Sequence, residues 1–199
     1  GTTPANCKAG GSTSAFGVTA AGVQAVLKNT QYTAGQHYFA GNGGSGGGGS
    51  GALFGGTQSG EQGFQGGKGG TDGENGYRHV LNSAGTAYVS QIVPNTEDFG
   101  QGQNASTREF GEANGTLYSG GGGGAGDRRQ IEGYWFHFSP GAGGSGGGGK
   151  GADYNANAVA GTANTGGGGG GGCPNPTTSS YRHASGAGGS GIVVIRNHR

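Results

Sequence analysis

Five histidines, His37, His79, His137, His183 and His198, are the side chains best suited to proton transfer or metal ligation. Two of them stand in a repeated string, Tyr77-Arg78-His79 and Tyr181-Arg182-His183. Such a pair could hold a ligand from two sides. Equally, each copy could cap the same structural position at the end of a tract, with the Tyr ring covering exposed backbone edges. A metal centre needs three or four converging ligands, and a catalytic triad needs a nucleophile placed by its surroundings. The carboxylates and hydroxyls form no spaced pattern with these histidines. The expectation is therefore a protein that is not an enzyme, with no metal and no cofactor.

The densest constellation runs from Arg128 to Phe138. A basic pair, Arg128-Arg129, precedes five rings in succession: Tyr134, Trp135, Phe136, His137 and Phe138. In one reading the segment is a small hydrophobic cap, with alternate rings buried if it is a strand. In the other it is a recognition loop, because Tyr and Trp join a large apolar area to a polar handle and dominate binding hot spots. Both readings stand on the sequence. Gly144 to Lys150 nearly spells a phosphate-binding loop, but Gly151 stands where Ser or Thr must reach the magnesium ion, and no ordinary strand and helix flank it. Nucleotide binding is set aside. Asn104-Ala105-Ser106 and Asn114-Gly115-Thr116 match the glycosylation acceptor pattern, which matters only in a eukaryotic secretor.

Cys7 and Cys173 lie near opposite ends of the chain, and neither belongs to a CxxC or a Cys and His cluster of metal spacing. A disulfide between them is the expected pairing, within one chain or between two. Closing so long a loop is valued at about 4 to 5 kcal/mol by chain entropy. It would also place the protein in an oxidising compartment.

Positioning these residues falls to an unusual scaffold. Glycine supplies 56 of 199 residues, about four times its ordinary share, while AVILMFWYC supply only 29%. A side-chain core of normal size is excluded. Collagen is excluded by five prolines and by the lack of a strict third-position glycine. Disorder is disfavoured by one Trp, eight Tyr and eight Phe against only 11% charged residues. A net charge of +1, with Lys and Arg scattered, argues against nucleic acid as partner. No apolar run is long enough to span a bilayer, and the opening at Gly1 without a leader reads as a trimmed product.

Glycine is concentrated in tracts, 41–76, 120–126, 141–151, 161–172 and 186–191. Within the first, Gly60, Gly63, Gly66 and Gly69 fall three apart, and after a slip of one residue Gly70, Gly73 and Gly76 do so again. Period three belongs to polyproline II, whose backbone groups all point outward and find partners only on neighbouring helices. Glycine is required because inward side chains would hold the backbones apart. The expected fold is thus mostly irregular and β: a glycine-rich polyglycine II helix sandwich with short strands and one short N-terminal helix. The helix is expected over 15–28, where Phe16, Ala20, Val23 and Leu27 make an apolar face. Strands are expected at 86–93 and at Ile192 to Ile195. Residues 1–40 form an N-terminal assembly or attachment segment, and 41–199 form the glycine-rich domain, with inserts at 77–118, 128–140 and 173–185.

The strings at 161–172 and 186–196, the second ending Gly-Ile-Val-Val-Ile-Arg, resemble the ends of glycine-rich domains in phage tail fibres and bacterial surface proteins. Alternation of tracts and inserts is similar to the tail-fibre tip adhesins of T-even-like phages. That resemblance implies a polyglycine II sandwich whose inserts contact a host receptor without catalysis. The front of this chain departs from it, with no matching fibre-attachment domain and with widely separated cysteines. The expected function is accordingly an extracellular or virion-surface recognition protein. Its partner would be a cell-surface receptor or glycan, contacted through Tyr134, Trp135, Phe136, His137, Phe138, Tyr77, His79, Tyr181 and His183. A self-assembling filament or matrix subunit is the rival, in which the same residues meet other copies. An antifreeze-like protein is a minor alternative, its flat face interrupted by aromatic inserts. A homo-oligomer or a part of a larger fibre is expected, without membrane insertion. The receptor-binding reading places the inserts 77–83, 95–118, 128–138 and 174–183 together on one exposed end.

Overall fold

A computed structural model describes residues 13–15, 17–20, 43–48, 66–81, 88–91, 102–126, 128–131, 134–172 and 183–197. Among the described residues the strands form three antiparallel hairpins, and a short 3-10 turn spans Glu109–Gly111. Strands β1 (Thr13–Ala15) and β2 (Val18–Ala20) pair with Ala15 opposite Val18. β3 (Arg78–Leu81) pairs with β4 (Tyr88–Gln91), and β5 (Arg128–Ile131) with β6 (Tyr134–His137).

Among the described residues between and after the hairpins, the glycine segments are organised by backbone hydrogen bonds. The segment 119–126 shows the rule. The N–H groups of Gly120, Gly123 and Gly126 donate to the carbonyls of Gly146, Gly149 and Ala152 at 3.0, 2.9 and 2.9 Å. Those of Gly121 and Gly124 donate to Gly70 and Gly67 at 3.0 and 2.9 Å. In return, the carbonyls of Gly121 and Gly124 accept from Gly144 and Gly141, and those of Gly120 and Gly123 accept from Gly168 and Gly171. Gly48 donates to the Gly122 carbonyl at 2.8 Å. Each neighbour is thus addressed at every third residue, and one segment bonds to neighbours on several sides. Register runs parallel with 146–152 and 168–171 and antiparallel with 66–70 and 139–144.

Two further segments extend the lattice. Ala158 and Gly161 donate to Ala184 and Ala187, while Gly186 and Gly189 donate to Gly170 and Gly167. Partners for buried backbone groups, the chief obligation of a chain with few side chains to bury, come from these inter-segment bonds.

The interior is correspondingly backbone. Glycines 120–124 and 126 are all buried, and among the described residues the buried apolar side chains are Ala125 and Ala152, with Ala158 packed against them. Among the described residues Ser45 is the buried polar side chain, its Oγ accepting from the Gly73 N–H at 3.0 Å. The segments approach too closely for even a methyl group. A Cβ placed on Gly121 would overlap the Gly46 carbonyl oxygen and stand 2.7 Å from its carbon.

Two sequence expectations are corrected. The helix expected over 15–28 is not formed at residues 15 and 17–20, which belong to the β1–β2 hairpin. Gly17, with φ of +78°, supplies the left-handed turn residue that a two-residue hairpin loop needs. The remainder of that span lies outside the described residues. Ile192 to Ile195 form no strand, although β-branched residues favour one, because among the described residues no segment shares a backbone hydrogen bond with them; they are exposed at 44%, 48%, 36% and 67%.

Candidate functional site

The lattice has two ends, and the chain turns outward at both. At the first end lie Gly126, Phe138, Ala152 and Gly172. The β3–β4 hairpin leaves there after Tyr77, whose N–H donates to the Lys68 carbonyl at 2.8 Å, and the β5–β6 hairpin leaves between Gly126 and Phe138. A tight turn, 153–157, closes the same end. At the second end lie the insert 102–118, the turn at 145–147, the turn at 163–166 and the exposed run 191–197.

An open groove of about 200 Å³ sits at the first end, lined by Phe138, Ser139, Pro140, Lys150, Asp153 and Tyr154. Phe138 arrives from the aromatic hairpin and Lys150 from the buried glycine row. Asp153 and Tyr154 come from the turn where that row stops. Asp153 shapes this turn: its Oδ1 accepts from the N–H groups of Asn155 and Ala156 at 2.8 and 2.9 Å. This is an Asx-type turn, in which a short carboxylate replaces a backbone acceptor. Among the described residues the Asp153 Oδ2 and the Lys150 ammonium make no hydrogen bond or ion pair, so both face the groove's surroundings uncommitted.

His183 fixes the turn from the other side. Its Nε2 donates to the Tyr154 carbonyl at 2.8 Å, and its Nδ1 stands 3.3 Å from the Asn157 Oδ1, which also accepts from the Ala184 N–H at 2.9 Å. The second Tyr-Arg-His string therefore ends by anchoring the groove's turn and opening the segment 184–190. The first string leaves the lattice instead. Tyr77 donates its hydroxyl to Glu74 at 3.3 Å, with Lys68 Nζ 5.8 Å from its ring centroid, and His79 lies in β3 opposite Ser90. Partial burial, then the Glu74 carboxylate, push the Tyr77 hydroxyl above its ordinary pKa.

Among the expected site residues, Tyr134, Trp135, Phe136 and His137 form β6, opposite Ile131, Gln130, Arg129 and Arg128. Phe138 follows directly into the groove. Tyr181, Cys7 and Cys173 lie outside the described residues. The near match to a phosphate loop is part of the lattice: Gly144 and Gly149 are buried and bonded to Gly121 and Gly168.

The insert 102–118 belongs to the opposite end, which corrects the expectation that all inserts share one. It rejoins the lattice at Ser119, whereas the hairpins leave at Gly126, one segment length away. Asp72, at φ of +57°, clasps it: Oδ1 accepts from the Ser106 hydroxyl at 2.7 Å and the Thr107 N–H at 2.9 Å, and Oδ2 from Arg108 Nε at 2.9 Å. The Ser106 hydroxyl, followed by the Thr107 N–H and Arg108, holds the Asp72 carboxyl below its usual value. At the insert's tip Phe110 is 45% exposed with φ of +53°. Arg196 lies over its ring at 4.1 Å and pairs with Glu112 at 2.5 Å, which lowers the Glu112 carboxyl.

Sequence reasoning singled out the rings of 134–138 but missed Lys150, Asp153 and Tyr154. The signal was present: Asp153-Tyr154-Asn155-Ala156-Asn157 interrupts a glycine-rich stretch with a turn-forming carboxylate and an aromatic ring.

A backbone-cored lattice with polar and aromatic turns at its ends is the structure of a glycine-rich domain. The chain belongs to the glycine-rich domain family, whose sequence model matches residues 1–198. No curated protein and no solved structure matches it.

Proposed function

We propose that this chain is a polyglycine II sandwich acting as a non-catalytic recognition protein, extracellular or on a virion surface, in the manner of the tail-fibre adhesins it resembles. What supports the sandwich is the hydrogen-bond spacing, since donors reach a given neighbour at every third residue, the repeat of polyproline II. Recognition rests on one observation: the chain passes from the aromatic strand Tyr134–His137 directly into a groove walled by Phe138 and Tyr154, at one end of a rigid lattice. Aromatic groups on a stiff base bind with little loss of conformational entropy. The partner is a cell-surface receptor or glycan.

The test is binding of fluorescently labelled protein to candidate host cells, comparing wild type with Trp135→Ala. Retained lattice amide signals with lost binding are expected. Equal binding by the variant would overturn the role given to the aromatic hairpin.

A specific observation favours the filament reading as second choice. Segment 184–190 bonds inward to 158–161, 166–167 and 170, and the exposed Ile192 to Ile195 continue from it, so a second copy could extend the lattice there. Negative-stain imaging separates the two: ordered filaments would recast the aromatic residues as subunit contacts.

A further inference from the structure

The geometry points to the groove between Phe138 and Tyr154 as a subsite for one neutral hexose ring, held by Asp153 and Lys150; this rests on the recognition reading above. Its size sets the class first. At about 200 Å³ the groove is smaller than the roughly 300–1,000 Å³ of sites for drug-sized ligands, and it suits a single ring of a longer chain that continues into solvent.

Its lining sets the chemistry. Phe138, Pro140 and Tyr154 offer apolar surface, which matches the C–H face of a pyranose. Asp153 spends Oδ1 on the Asn155 and Ala156 N–H groups, leaving Oδ2 to accept from a sugar hydroxyl. The Lys150 ammonium, also without a partner among the described residues, donates to a neighbouring hydroxyl oxygen. One positive and one negative group leave the groove without net charge, so a neutral sugar meets no uncompensated charge.

The subsite is also preorganised. Lys150 is carried on the glycine row, where its own carbonyl accepts from Val159 at 2.9 Å, and the His183 ring holds the Tyr154 carbonyl at 2.8 Å. Backbone bonds at Lys150 and Tyr154, together with the turn bonds of the Asp153 Oδ1, therefore position groups that would meet the sugar.

The experiment is saturation-transfer NMR on the full chain with methyl glycosides of glucose, galactose, mannose and N-acetylglucosamine, run beside the cell-binding assay. At least one glycoside should receive saturation. Asp153→Asn keeps an amide oxygen for the turn and should weaken that glycoside by about tenfold, because it removes a charged acceptor. Tyr154→Ala should weaken it by about as much through loss of the ring, while its carbonyl still accepts from His183. No transfer to any of the four, or transfer unchanged in both variants, overturns the subsite. Cell binding intact with a silent panel sinks the hexose assignment alone. A positive panel with no binding to any cell supports the subsite and overturns the cell-surface reading.

Discussion

Replacing Gly121 with alanine should unfold this protein far more readily than replacing Gly188, although both are glycines in the lattice segments. The Gly121 Cβ would overlap the Gly46 carbonyl oxygen and lie 2.7 Å from its carbon, where ordinary contact begins near 3.4 Å. Relief of the carbon contact alone requires the segment 43–48 to withdraw by 0.7 Å, which stretches the Gly70 to Gly46 hydrogen bond from 2.8 to 3.5 Å. That lies beyond the range of a protein hydrogen bond. The Gly46 to Glu74 bond, at 2.9 Å, moves with it. Two buried backbone pairs are compromised, at about 1–3 kcal/mol each, so the loss is about 2–6 kcal/mol of a total stability of roughly 5–15. At about 2–4 °C per kcal/mol for a chain of this size, the melting temperature should fall by at least about 4 °C. The nearest atom to a Cβ on Gly188 is 3.7 Å away, an ordinary contact at an exposed position. Gly188→Ala should change stability by less than about 1 kcal/mol and can even raise it, by restricting the unfolded chain. Calorimetry or thermal circular dichroism reads both. Equal melting of Gly121→Ala and wild type, or equal damage from the two variants, would refute a core made of backbone.

Other outcomes follow from individual contacts. Asp72→Ala should release the insert 102–118, read as faster amide exchange there with the lattice unaffected. Acid should do the same. The folded Asp72 carboxyl titrates below its unfolded value, so the stabilisation is complete above the ordinary carboxylate range and is lost as pH falls through the lowered value. Amide shifts of Thr107, followed through an acid titration, report the release. His183→Ala should cost about 1 kcal/mol and loosen the turn 153–157, seen as exchange of the Ala156 amide. Gly147→Ala should be damaging twice over, since its φ is +97° and a Cβ would stand 2.7 Å from Thr165 Cβ; a lowered melting temperature checks it.

Much of the scaffold was legible because glycine density is itself the signal. Tracts 120–126, 141–151 and 161–172 could be placed as scaffold from composition, and the buried, mutually bonded glycines lie there. The strand-rich string at 86–93 contains β4. Helical spacing at Phe16, Ala20, Val23 and Leu27 misled at residues 15 and 17–20, because four coincident positions weigh less than a glycine free to take φ of +78° at residue 17. Ile192 to Ile195 misled for another reason: strand propensity acts only where a neighbour supplies the ladder. Which end each insert occupies was not legible. That depends on the direction of every preceding segment, and period three marks a segment without giving its direction. The groove was illegible for the same cause, since Phe138 meets Lys150 and Tyr154 only once two segments are aligned.

The most direct test of a backbone core is amide hydrogen exchange by NMR on the native protein. The amides of Gly121, Gly124, Gly123 and Gly126, and of Gly149 and Gly168, should exchange only through global unfolding, with protection as strong as that of ordinary core elements. Exchange of those glycines at the rate of an unfolded chain would contradict the account and reduce the tracts to flexible linkers.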